Sequence, residues 1–394
     1  MPRAINNTFF FFLLCYPTAT LTAQLADSII VNRLLIEIAS EQVKVNGEFY
    51  AGTFPSFRES GGMPHNYQPD NNIFFTAISI FTLQNMLPYL TNRNKAIALQ
   101  VIENSKKSFD YYKNKQGYPY YGFWPSGGSF MPHTYFFKYL KHIFYQGEDA
   151  DDSVMILMAT NSNDSVCSVL KKRMIEVSNL SNKRIKSTFR KYRDIPAYST
   201  YLGKRMPTDF DIGVECNILY FMFDRKLPLV KQDTGTIDLL KQIIASREYM
   251  KSPTYLSPYY VRPPVLLYHI SRLIGKFQIN ELEPYRQQLI EDTKYCLRKS
   301  KNNMDDVILN TTLIRLGGTR SGLESASQIK KFKHKSFIFF QARAAFWYPT
   351  PLKNIFIHSR YLRYYFYCPS YNKVLMLEHL VESDKSLKQT LDFH

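Results

Sequence analysis

The stretch Glu148–Ala159, EDADDSVMILMA, sets an acidic run directly before a short segment with no polar face. A helix that is apolar all round belongs in a protein interior. Asp or Asn at its start accepts hydrogen bonds from backbone N–H groups that have no partner inside the helix, and complements the positive end of the helix dipole. The stretch therefore predicts a buried helix with an acidic entrance. The same grammar recurs along the chain. Pro69-Asp70-Asn71-Asn72 precedes apolar Ile73–Leu87, Asp209-Phe210-Asp211 precedes Val214–Phe223, and Asn303-Met304-Asp305-Asp306 precedes Val307–Leu316. Val265–Ile274 and Val374–Val381 are apolar segments of the same kind.

Between them lie segments of a second kind: Ala26–Gln42, Lys95–Lys113, Val166–Val177, Ile237–Tyr249, Leu282–Arg298 and Leu323–Phe332. These carry apolar residues at i, i+3 and i+4 and charges on the other face, the pattern of surface helices. Buried and surface helices alternate, as in antiparallel hairpins. The starts of the buried ones are irregularly spaced, which argues against a short-period solenoid. Strand signals are weak. The expected fold is all-α: an (α/α)6 toroid or barrel of about six helical hairpins, with inner apolar helices ringed by outer amphipathic ones, spanning residues 24–394 as one domain. In such a toroid the inner helices all start at one end, and their Asp leaders surround one mouth. The loops Gly47–Asp70 and Gly117–Tyr135 are long and rich in Gly, Pro and Tyr, and long loops in compact domains are usually functional.

Composition narrows the class. The 394 residues include 50 Lys+Arg against 33 Asp+Glu, a net charge of +17, with 29 Phe and 29 Tyr. That is too apolar and aromatic for a disordered chain. Five Cys do not make a disulfide scaffold, and none has zinc spacing. Cys216 and His269 fall inside apolar helices and read as core. No metal and no cofactor is expected. No run reaches the ~18 apolar residues of a spanning helix. The N-terminus has Arg3, an apolar Phe9–Tyr16 and a small polar Pro17–Gln24, the layout of a secretory signal peptide over residues 1–23. Leu21 departs from the small residue preferred there. Cleavage would make the protein periplasmic or secreted; a buried N-terminal segment would leave it cytoplasmic. The basic runs Lys171–Arg173, Lys183–Arg193 and Lys330–Lys335 read as solvated outer faces that could touch an anionic membrane peripherally. No nucleic-acid motif is present, and a monomer is expected.

The motif Asp149-Ala150-Asp151-Asp152-Ser153, Asp-x-Asp-Asp before an apolar helix, resembles that of the class II terpene cyclases, which include squalene–hopene and bacterial diterpene cyclases. More broadly, the helical layout from about Asp27 to Glu382 resembles the prenyltransferase/squalene-cyclase α/α-toroid superfamily. The resemblance implies that Asp151 protonates an alkene or epoxide, with Asp149 and Asp152 as electrostatic partners. The cyclases pair at least two helical toroid domains and carry a repeated Gln-x-x-Asp-Gly-Ser-Trp motif; this chain has room for one domain and lacks the repeat. Three crowded carboxylates cannot all ionise, so one retains a proton, and a carbocation needs aromatic rings around it. Trp124, Tyr135, Tyr260 and Trp347 are candidates for that lining. A separate reading is a carbohydrate-active toroid. Asp70, Asp151, Asp209, Asp211 and Glu215 would offer a carboxylate pair, and Asn71, Asn72 and His133 would suit sugar hydroxyls. A third is a catalytically silent binding scaffold. The expected ligand is thus an isoprenoid or a saccharide. A cyclase predicts Asp151 facing a dry apolar cavity, a glycosidase an open groove, and a scaffold a filled centre with every Asp cluster satisfied.

Overall fold

The computed structural model describes residues 29–126, 147–181, 183–203, 206–319, 337–343, 353 and 357–392. The elements are α1 (29–41), β1 (Phe57–Ser60), β2 (Met63–Pro69), α2 (Phe74–Met86), α3 (Asn92–Lys106), α4 (Ala150–Ala159), α5 (Asp164–Val177), α6 (Ile212–Asp224), α7 (Lys231–Ala245), α8 (Glu248–Lys251), α9 (Pro253–Leu256), α10 (Pro263–Lys276), α11 (Arg286–Lys299), α12 (Asn303–Leu316), β3 (Phe340–Arg343), β4 (Arg363–Tyr367) and α13 (Pro369–Asp392).

The two kinds of helix separate as their side chains require. Every residue of α4 is buried, and α2 and α6 are buried nearly throughout. In α5, by contrast, only Cys167, Leu170, Lys171 and Met174 are buried, one stripe at helical spacing. The buried helices contact one another in sequence: α2 packs on α4, α4 on α6, α6 on α10, α10 on α12, α12 on α13, and α13 again on α2. The amphipathic helices lie on this series, α3 against α2, α5 against α4, α7 against α6, and α11 against α10 and α12. Helix α1 ties the ends of the chain together: Asn32 donates to Asn94 of α3 at 2.7 Å, and Lys373 of α13 lies 3.1 Å from Glu37. The N-cap of α2 is Ile73, which makes no side-chain cap bond, so the expected Asp70-Asn71-Asn72 run does not supply the N-cap residue, and three caps lie outside the acidic runs. Thr91 accepts from Asn94 N at 3.4 Å, Asn163 from Val166 N at 3.0 Å, and Asn302 from Met304 N at 2.9 Å.

The all-α expectation is corrected by a four-stranded antiparallel sheet in the order β2-β1-β4-β3. Phe57 pairs with Tyr367 and Phe340 with Phe366. The β1–β2 hairpin turns at Gly61-Gly62, a recognisable two-residue hairpin signal. At Gly61 a side chain would collide with the Arg360 carbonyl. The other pairings join residues far apart in sequence, so no local pattern announces them. β4 (RYYFY) does have the aromatic composition of a strand,. Phe340 carries the sheet onto the helices: its ring centroid lies 5.2 Å from Phe74, 4.8 Å from Phe75 and 5.7 Å from Phe123.

One basic run also differs from expectation. Lys171 is buried, donating to Asp233 at 2.8 Å and to the Pro228 carbonyl at 2.6 Å. It pins α5 to α7 instead of facing water. Among the described residues no helix is long and apolar enough to cross a membrane. Cys167, Cys216, Cys296 and Cys368 are buried free thiols.

Candidate functional site

The start of α4, helix α6 and the segment before α10 meet at Asp151. Its neighbour Asp149 is the N-cap of α4, extended in backbone and accepting from Asp152 N at 2.8 Å. The cap is itself held in place: Asp149 N donates to the Tyr121 carbonyl at 3.1 Å, and Ala150 N to the Thr200 carbonyl at 2.8 Å. Asp151, one residue into the helix, has no capping duty. Its two oxygens accept from the Asn217 amide at 2.6 Å and the Tyr260 hydroxyl at 2.5 Å, and it is 8 % exposed.

Asp211 sets that geometry from a distance. It caps α6 through Gly213 N at 2.9 Å and Val214 N at 3.4 Å. It also accepts from Ser257 Oγ at 2.6 Å, Tyr259 N at 2.8 Å and Tyr260 N at 3.4 Å. One carboxylate thus fixes both the start of α6 and the segment that carries Tyr260. Gly213 completes the fit, because a Cβ there would overlap the Tyr260 ring. That ring rests 4.3 Å from the His269 ring and within about 6.5 Å, the spacing of interacting aromatics, of Phe74, Phe339 and Phe340,.

Behind Asp151 the polar chain continues into the interior. Asn217 Oδ1 accepts from Arg272 Nη2, and His269 Nδ1 is 3.1 Å from the same oxygen. Sequence pattern alone places His269 in the core, and Asn217 and Arg272 belong to none of its motifs. The signal was available: Asn217 is a lone amide in an apolar helix, and His269 and Arg272 stand three apart on one face of α10.

Electrostatics follow from burial. Loss of water pushes the Asp151 carboxyl up to about 7; the Asp149 charge adds to this, while the bonds from Tyr260 and Asn217 oppose it. Burial likewise lifts Asp149 to about 6 and Asp152 well above the usual carboxylate range, with Asp149 beside it. Burial, together with the nearby guanidiniums of Arg272 and Arg315, holds the His269 imidazole neutral. Burial therefore favours the protonated form of Asp151,.

The other sequence candidates take different places. Asp70 is an ion-pair anchor: it accepts from Arg58 at 3.0 Å, Trp124 Nε1 at 3.1 Å and Asn72 at 3.0 Å. Asn71 accepts from the Tyr112 hydroxyl at 2.7 Å. Asp209, lifted by burial to about 6, takes a bond from Ser187 and lies near Lys353, whose ammonium reaches the carbonyls of Ser187 and Tyr255 at 2.6 and 2.7 Å. Glu215 is buried one turn beyond Asp211, which pushes it up further. His133, Tyr135 and Trp347 lie outside the described residues. Among the described residues no group of three or more His, Cys, Asp or Glu is placed to hold a metal ion.

The chain matches no known protein family, no curated protein and no solved structure.

Proposed function

We propose that the closed series of buried helices is an (α/α)6 toroid, and that Asp151 at its acidic end is the proton donor of an isoprenoid-type cyclisation. The observation that carries this is the Asp151 carboxyl itself. It is buried, free of capping, lifted to about 7 and oriented by Tyr260 and Asn217. A structural cap has no use for such a group, and strongly perturbed acids gather at functional sites. In the proposed step the proton leaves Asp151 for one alkene carbon. The π pair forms the new C–H bond, and positive charge develops on the other carbon. The carboxylate left behind faces the same two hydrogen-bond donors, which favour its charged form. The rings of Tyr260, Phe74, Phe339 and Phe340 offer quadrupoles to the cation. Asp149 opposes early loss of the proton, because its charge lies beside Asp151.

A second reading, a non-catalytic binding scaffold, is favoured by the caps and pairs. Asp149, Asp211 and Asp70 each have donors within the fold, and Phe339, Phe340 and Tyr371 are all buried, Phe339 packed against Tyr371. One experiment separates the two. Purified protein is incubated with geranylgeranyl diphosphate and with squalene, and products are read by mass spectrometry. A proton donor predicts cyclised product that falls about 10²–10⁴-fold in Asp151→Asn at unchanged folding. No product from the unaltered protein with either substrate, together with destabilisation by Asp151→Asn at every pH, would replace the cyclase by the scaffold.

A further inference from the structure

A cavity of about 230 Å³ opens where α2, α6, α10 and α12 end, away from the acidic leaders. Its wall carries four cations, Arg272, Lys276, Arg315 and Lys385, against two carboxylates, Glu378 and Glu382. The carboxylates already have partners. Arg315 lies 2.5 Å from Glu378 and 3.6 Å from Glu382, and Lys385 lies 3.7 Å from Glu382.

Arg272 is differently placed. It is 5 % exposed, yet its contacts are the Asn217 amide oxygen, His269 Nδ1 at 3.1 Å and the ring faces of Phe81 and Tyr268, with no carboxylate among them. Neutral His269 supplies no counter-charge, and the carboxylate that acts on Arg272, Glu378, is already bonded to Arg315 and Tyr268. The Nη1 atoms of Arg272 and Arg315 are both buried without a hydrogen-bond acceptor, and the two guanidiniums lie over the same Tyr268 ring at 5.5 and 5.1 Å. The negative ends of helix dipoles explain Lys276 and Arg315, which occupy the last turns of α10 and α12,. They do not explain a buried guanidinium with an idle N–H edge, which is costly unless something accepts from it.

We infer that this cavity binds a small dianionic oxyanion, with the guanidinium charges of Arg272 and Arg315 on its inner side and Lys276 and Lys385 at the rim. Guanidinium forks match the paired oxygens of phosphate and carboxylate groups. The two cations in excess match a dianion, and the volume suits a small ion. The same chemistry is presented by phosphate and by a short dicarboxylate, so inorganic phosphate and succinate are the probes.

The test is thermal unfolding and titration calorimetry with each anion, sodium chloride holding ionic strength constant. A specific site gives a saturable rise in Tm with one or both anions, as binding to the folded state requires, and none with chloride. Arg272→Met removes the saturable rise. Lys276→Ala combined with Lys385→Ala changes only the rim and keeps the test valid if Arg272→Met does not fold; it weakens binding about tenfold, the loss of roughly one charge-assisted contact. Asp151→Asn binds as the unaltered protein does, so this result and the proton-donor reading fail independently. Absence of a saturable response to both anions, or a response that both sets of substitutions leave intact, overturns the site.

Discussion

Replacing Asp151 by Asn should stabilise the protein at pH 8 and leave it almost unchanged at pH 4. The sign follows from linkage. A carboxyl whose folded-state pKa is raised binds its proton more tightly in the fold than in the unfolded chain. Its contribution is fully present below the unfolded value and is lost as pH climbs through the folded one. For Asp151 that window runs from the ordinary value of 3.8 to about 7. At about 1.4 kcal/mol per pKa unit, the loss across it is about 4 kcal/mol. Asn resembles the protonated acid in shape and does not titrate. It presents an oxygen to the Asn217 amide and an N–H group to the Tyr260 oxygen. Asp149, Asp152, Asp209 and Glu215 also have raised pKa values, so the unaltered protein keeps a strong pH dependence of its own. The difference between variant and parent isolates Asp151. The assay is urea unfolding of both proteins at half-unit steps from pH 4 to pH 8. The gap should open above pH 4 and level off above pH 7, with the variant the more stable. A gap that is flat with pH, or a variant increasingly destabilised as pH rises, would mean that Asp151 is ionised throughout. The proton-donor assignment would fall with it.

Tyr260→Phe removes a bond that favours ionised Asp151, so the Asp151 titration midpoint, read by carboxyl-carbon NMR, should move upward; a downward move contradicts the arrangement. Gly213→Ala forces the Tyr260 ring aside and should cost about 1–3 kcal/mol by overpacking, measured by denaturant unfolding, with loss of the Tyr260–Asp151 bond. Arg58→Met leaves Asp70 buried without its cation, and unfolding should show a loss of about 3–5 kcal/mol, the penalty for breaking a buried pair. Asn163→Ala removes the cap of α5 and should cost about 1 kcal/mol in the same assay, with the cluster around Asp151 unaffected.

The helices were legible because burial leaves a one-dimensional trace. The apolar cores of α2, α4, α6, α10, α12 and α13 stand in the sequence as runs without a polar face, and the surface helices keep their stripe. Capping was legible in part: Asp149 and Asp211 do cap helices, whereas α12 is capped by Asn302, just before the expected run, and the N-cap of α2 makes no side-chain cap bond. The division of labour within Asp149–Asp152 was not. Spacing cannot tell which carboxylate turns back to its own backbone and which reaches across to Asn217 and Tyr260. The sheet was hidden because three of its strands find partners through tertiary contact, and the β1–β2 hairpin, which has a local signal in Gly61-Gly62, sits inside a stretch that otherwise reads as loop. Arg272 was hidden for a related reason: long side chains on apolar helices commonly reach water, and only the packing shows that this one does not.

The partner of β1 is the strand β4, and the Tyr367 hydroxyl that closes on Glu59 lies 308 residues further along the chain. At translation rates of roughly 5–20 residues per second, β1 waits roughly 15–60 s on the ribosome before β4 is made. During that interval Arg58 and the inner edge of the hairpin are open to any other extended chain. The molecule therefore has a long nascent period in which its first hairpin needs shielding. A chain truncated before Arg363 would be an incomplete assembly with an unmatched sheet edge, prone to pair with its own copies.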